Sequence, residues 1–118
     1  MTGKTLFIVN HPPYGTEHAY NALRMANAVA GKEDQEVKIF LQGDAALCAK
    51  SGQEVPKGFY NLERMLKVSR SKGVEVGVCT SCMDARGMTD EELGEGHRRA
   101  TLDEAAEWTV WADKVLVF

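Results

Sequence analysis

Four short apolar, β-favouring runs separated by helical patterns constrain this chain more than any other feature. They are Thr5 to Asn10 (TLFIVN), Val37 to Leu41 (VKIFL), Val74 to Cys79 (VEVGVC) and Lys114 to Phe118 (KVLVF). Continuous apolar runs of this length belong to strands covered on both faces, and strands alternating with helices belong to parallel βα units. The pattern therefore predicts an α/β domain with three α/β/α layers and a mostly parallel sheet. The 118 residues fit one domain, residues 1–118, and leave no room for a second core.

The intervening segments carry their own signals. His11-Pro12-Pro13-Tyr14-Gly15 reads as a loop, because consecutive prolines remove the amide donors that a helix interior or central strand needs. Thr16 has N-cap chemistry, and Ala19, Ala22, Leu23, Ala26, Val29 and Ala30 follow at helical spacing until Gly31. A short helical piece spans Ala45 to Ala49, a polar loop runs from Lys50 to Gly58, and a helix from about Asn61 to Ser71 ends at Gly73. Thr89 with Glu92 and Thr101 with Glu104 form capping boxes at two further helix starts. The last helix is expected to bury Leu102, Ala105, Ala106 and Thr109, which turns Trp108 and Trp111 outward as a subunit-interface pair.

Charge and cysteine usage exclude several classes of function. Fourteen basic residues against seventeen acidic ones give a net charge of -3, and the one dense basic cluster, His97-Arg98-Arg99, follows Glu91, Glu92 and Glu95. That reads as a solvated face, so nucleic acid is not an expected partner. No apolar run approaches the ~20 residues of a membrane span, and no secretory leader pattern precedes the first strand, so a cytoplasmic protein is expected. Cys48, Cys79 and Cys82 cannot all pair within one chain, which leaves at least one thiol for chemistry.

In an open parallel sheet, reactive groups collect beyond the carboxyl ends of the strands. That rule brings His11 to Thr16, Gln42 to Asp44 and Cys79 to Arg86 to one edge. Cys79 then stands at a strand tip, at the entrance to a turn or helix whose free amides favour a thiolate, with Arg86 and His11 as candidate cations and Asp84 opposing them. Cys48, on an alanine-rich piece, reads as packing. The Cys79-x-x-Cys82 spacing admits a thioredoxin-like dithiol, but Pro12, Pro13 and Pro56 all precede it, whereas such proteins place a proline later in the chain. Zinc held by the pair with Cys48 or His97 is weaker still, for want of a second ligand pair at regular spacing. Gly3-Lys4-Thr5 precedes its strand and so is no phosphate loop.

Pro13 to Thr16 with the alanine-rich stretch after it, the segment CTSCMDARG, and the closing ADKVLVF together resemble the DsrE/DsrF-like sulfur-relay family over nearly the whole chain. The resemblance implies a flavodoxin-like α/β/α fold, assembly into homotrimers or homohexamers, and a cysteine, here Cys79, that accepts sulfane sulfur as a persulfide. It implies a sulfur carrier or sulfurtransferase that works between sulfur-donor and sulfur-acceptor proteins and requires no cofactor. Cys82 departs from the TusD-type pattern and is closer to YchN-like members with CxxCxxxRG, which leaves a resolving or metal-binding role open for it. Tyr14, Gly15, Thr16, Arg86 and His11 would shape access and stabilise sulfur anions. Two alternatives stand beside this reading: a non-catalytic oligomeric module that binds a ligand or metal, and a CxxC dithiol oxidoreductase.

Overall fold

The computed structural model describes residues 2–118. Each apolar run is a strand: β1 is Gly3–Val9, β2 Gln35–Leu41, β3 Glu75–Cys79 and β5 Lys114–Val117, while a fifth strand that local pattern did not announce, β4, spans Arg98–Ala100. All pair in parallel, in the spatial order β4-β3-β2-β1-β5. Between them lie α1 (His18–Ala30), a 3-10 segment (Gly43–Ala49), α2 (Leu62–Ser71), α3 (Thr80–Ala85), a short 3-10 turn (Asp90–Glu92) and α4 (Leu102–Trp111).

Strand order dictates where the helices go. From β1 to β4 every step moves one strand in the same direction, so right-handed crossovers put α1, α2 and α3 on one face. The return from β4 to β5 runs the other way across the sheet and carries α4 to the opposite face. Side chains follow with a period of two. Phe7, Val9, Val37, Ile39, Leu41, Val76 and Val78 join α1, α2 and Met83 of α3 in one cluster, and Leu6 and Phe40 join Ala100, Ala105 and Trp108 of the α4 side in another. The result is the α/β/α, flavodoxin-like fold expected from the pattern and the resemblance.

The phase of α4 corrects the sequence-based expectation. Leu102 is 79% exposed and Ala106 and Thr109 are also exposed, whereas Trp108 is only 6% exposed. The Trp108 ring meets Phe40 edge-on at 6.4 Å. It also lies over Gly77, where a Cβ would come within 2.9 Å of Trp108 Cη2 and 2.8 Å of the Ala100 Cβ. The glycine in VEVGVC therefore makes room for the indole. Burying an aromatic ring of this size contributes about 4–6 kcal/mol by area. Trp111 is half-buried, with Lys38 Nζ 4.7 Å from its ring centre.

Two local expectations also shift. The first turn of α1 closes one residue late, with the Asn21 amide donating to the Glu17 carbonyl, so Thr16 caps nothing and its Oγ1 is buried without a partner among the described residues. Arg98 of the basic cluster is exposed, as a solvated face requires, but its partners are not Glu91, Glu92 and Glu95. Arg98 pairs with Glu75 at 2.9 Å and Glu104 at 2.7 Å, because β4 sets it beside β3 and the start of α4. His97 is half-buried, its Nδ1 lacks a partner, and desolvation, helped by the charge of Arg70, pushes its imidazole below the ordinary value.

Candidate functional site

The chain leaving β3 enters α3 on one face of the sheet, and the chain leaving its neighbour β4 enters α4 on the other. Between two strands whose exits diverge, the carboxyl edge of a parallel sheet opens into a crevice. Cys79 is the last residue of β3, paired in register with Ala100, and so stands at that divergence. It packs against the α4-side cluster, while Cys82 packs against the opposite one.

Cys79 is itself the N-cap of α3. Its Sγ accepts the Cys82 amide at 3.3 Å and lies 3.5 Å from Ser81 Oγ, the arrangement by which Ser or Asp ordinarily satisfies an orphan amide. The same two donors are placed to stabilise negative charge on sulfur. Cys79 and Cys82 are joined as a disulfide, with their Cα atoms 5.2 Å apart, inside the ordinary range for such a bond.

Two arginines hold this short helix. Arg86 donates through Nε and Nη2 to Asp44 Oδ1 at 3.1 and 2.8 Å, and through Nη1 to the Cys82 carbonyl at 3.0 Å. Arg99 donates to the Thr80 carbonyl at 3.3 Å, to Asp84 at 3.0 Å and to the Met88 carbonyl at 3.2 Å, and it also pairs with Asp90. Thr80 Oγ1 ties the first turn to the Ala100 carbonyl at 3.2 Å. Asp44 and Asp84, the carboxylates flanking the cysteines, are thus each matched by a guanidinium.

The remaining sequence-derived site residues lie on the same carboxyl edge but have other partners. Gln42 Nε2 donates to Asn10 Oδ1 at 2.7 Å, which joins the ends of β1 and β2. The Tyr14 hydroxyl donates to Gln53 Oε1 at 2.6 Å and accepts the Leu62 amide at 3.1 Å, so it secures the start of α2. The His11 ring stacks on His18 at 4.1 Å, and the His11 carbonyl accepts from Cys48 Sγ at 3.8 Å. Gly15 adopts φ +98° at an exposed bend, beside Thr16. Among the described residues, the polar contacts of Cys79 Sγ are Ser81 and Cys82 alone, with none from His11, Tyr14, Gly15, Thr16 or Arg86. Cys48 is buried on the 3-10 segment, and burial pushes its thiol up to about 12.

Sequence reasoning missed Ser81, Thr80 and Arg99. Ser81 was readable as the residue two beyond a capping cysteine; Arg99 had no local signal, because only the unannounced β4 brings it to α3. The zinc alternative finds no support in geometry. Among the described residues, no three His, Cys, Asp or Glu side chains converge as ligands.

Fold and site together define an α/β domain that presents a vicinal cysteine pair at the carboxyl edge of a parallel sheet. The chain matches the DsrE/DsrF-like family across residues 3–118 and belongs to it. It is 38% identical over 116 residues to the protein YchN of Escherichia coli, a match covering 98% of both chains. The crystal structure of the E. coli YchN protein superposes with a TM-score of 0.93 at 37% identity, covering 99% of this chain and 100% of that one. A more distant relative is the sulfurtransferase TusD of Yersinia pestis, 27% identical over 127 residues, covering 98% of this chain and 97% of TusD. No helix among the described residues is long and apolar enough to cross a membrane.

Proposed function

We propose that this chain is a sulfane-sulfur carrier whose working thiol is Cys79. The Cys79 thiolate attacks the outer sulfur of a donor persulfide; the donor's S–S bond breaks, the donor leaves as a thiolate, and Cys79 holds the transferred sulfur as a persulfide. A partner thiol then takes that sulfur by the same exchange. The step needs neither metal nor cofactor.

The observation that carries this reading is the cap geometry of Cys79, with the Cys82 amide on its sulfur at the carboxyl end of β3, beside β4. Membership of the DsrE/DsrF-like family and the relationship to proteins named sulfurtransferase support it. Within it, Arg86 and the loop carrying His11, Tyr14, Gly15 and Thr16 border the approach to Cys79 and set which donor and acceptor proteins fit. The carrier works as a homotrimer or homohexamer in the cytoplasm. The disulfide favours a second reading, a dithiol oxidoreductase that turns over disulfide substrates.

Intact-mass measurement of the reduced protein after exposure to a persulfide donor tests the proposal. Cys82→Ala, which retains the Cys79 thiol without its neighbour, is expected to take up a reducible sulfur, and Cys79→Ala to take up none. Equal uptake by Cys79→Ala would sink the assignment. Turnover of a disulfide substrate without sulfur uptake would favour the oxidoreductase.

A further inference from the structure

We infer that Cys82 is a resolving thiol that discharges the Cys79 persulfide as hydrosulfide, so that this chain reduces sulfane sulfur as well as carrying it. The inference rests on the carrier reading and concerns what happens after the sulfur arrives.

Cys82 lies in the first turn of α3, three residues after its N-cap Cys79, with a Cα separation of 5.2 Å, and the pair is joined. Little motion separates the loaded and discharged states, because the turn is pinned from several sides. Arg86 holds the Cys82 carbonyl, Arg99 the Thr80 carbonyl, and Thr80 Oγ1 the Ala100 carbonyl. A thiol fixed at this range competes with any thiol arriving from solution through its high effective concentration. The third cysteine cannot take this part, since Cys48 is buried with a thiol pushed up to about 12.

The step balances without an outside oxidant. The Cys82 thiolate attacks Cys79 Sγ, the bond from Sγ to the outer sulfur breaks, and hydrosulfide leaves with that electron pair while the Cys79–Cys82 bond forms. The sulfane sulfur is reduced by two electrons and the cysteine pair is oxidised by two. Hydrosulfide is a weakly basic leaving group, as rapid exchange requires. A dithiol reductant then restores both thiols. Until it does, Cys79 is masked and accepts no further sulfur, so the fate of each sulfur is a contest between an acceptor protein and Cys82.

The test uses reduced full-length protein and glutathione persulfide labelled with heavy sulfur at the outer position, with excess donor removed before intact mass and labelled sulfide are read. The parent is expected to release one labelled hydrosulfide per chain and lose two hydrogens, and to release more only after dithiothreitol has restored both thiols, the reductant has been removed and labelled donor has been supplied again. In Cys82→Ala and Cys82→Ser the protein is expected to keep the labelled sulfur, with release slowed about a hundredfold or more by loss of the intramolecular thiol. A parent that keeps its sulfur, or Cys82 variants that release it as fast, would overturn the inference and leave the carrier reading intact. Failure of the parent and both Cys82 variants to take up labelled sulfur, or glutathione itself captured on the Cys82 variants, would overturn the carrier reading with it.

Discussion

On the face covered by α1, α2 and α3, buried side chains from three strands, three helices and the 3-10 segment form a continuous layer that includes Phe7, Ile39, Leu66 and Met83. On the other face, α4 alone covers Leu6, Phe40 and Ala100, and one indole, Trp108, provides most of the cover. The first layer spreads its stabilisation over many contacts, so no single side chain decides it. The second concentrates it in one ring and the glycine beneath. The two reactive cysteines divide along this line: Cys82 rests on the broad layer and Cys79 on the narrow one. The anchoring of Cys79 therefore depends on few residues, and changes in α4 should reach it more readily than equivalent changes in α1 or α2.

The strongest challenge to this contrast comes from Cys48, deep in the broad layer. With its thiol pushed up to about 12, it should alkylate roughly a thousandfold more slowly at pH 8 than a cysteine of ordinary pKa in the unfolded chain. Rapid labelling of Cys48 by mass spectrometry, with the fold intact, would show that the broad layer opens locally. On the narrow side, Trp108→Ala should cost about 3–5 kcal/mol in urea unfolding, the range for emptying a buried aromatic site. A loss under about 1 kcal/mol would mean that the indole is not the main cover.

Gly77→Ala probes the same contact from beneath. A methyl group placed 2.8 Å from the Ala100 Cβ and 2.9 Å from Trp108 should overpack the site and cost about 1–3 kcal/mol. In Trp108→Ala the clash with the indole is gone while that with the Ala100 Cβ remains, so the same methyl group should cost less, a non-additivity that a double-mutant cycle measures. The smallest effect belongs to the ion pairs at the margin of α4. Hydrogen bonds from Arg98 hold the Glu75 and Glu104 carboxyls below the usual carboxylate value. Their contribution is present above the ordinary value near 4.5 and is lost as pH falls through the lowered folded values. Arg98→Met should flatten the acid limb of the stability curve and change stability near pH 7 by about 1 kcal/mol or less, as expected for exposed pairs. A steeper acid limb in that variant would contradict the pairing.

What the sequence disclosed, and what it concealed, divides along physical lines. Strands β1, β2, β3 and β5 were legible because each is a continuous apolar run, and with them came the placement of Cys79 at a strand's carboxyl end. The start of α4 was legible from Thr101 and Glu104, whose reciprocal cap the structure contains. The buried face of α4 was misread because Leu102, in the first turn, was taken to point inward. Gly77 held the missing signal: a glycine inside a strand often marks a close neighbour, and the Trp108 ring of α4 lies against it. Strand β4 had no comparable cue. Three residues, Arg98-Arg99-Ala100, are too short and too charged to alternate visibly, and their pairing with Gly77, Val78 and Cys79 of β3 is a non-local contact that local pattern does not carry. With β4 hidden, the role of Arg99 in fastening α3 was hidden too.

The position of β1 between β2 and β5 also governs the order of assembly. Its seam with β2 joins residues such as Gly3 and Gln35, 32 apart, whereas its seam with β5 is sealed by a bond from the Lys4 amide to Asp113, 109 apart. Closing the longer loop costs roughly 1 kcal/mol more in chain entropy, at about 0.6 kcal/mol for each doubling of length. On chain entropy alone, the β5 seam is expected to close later in folding than the β2 seam and to open before it in native fluctuations. Amide exchange should register it there, in β5, before β2 gives way.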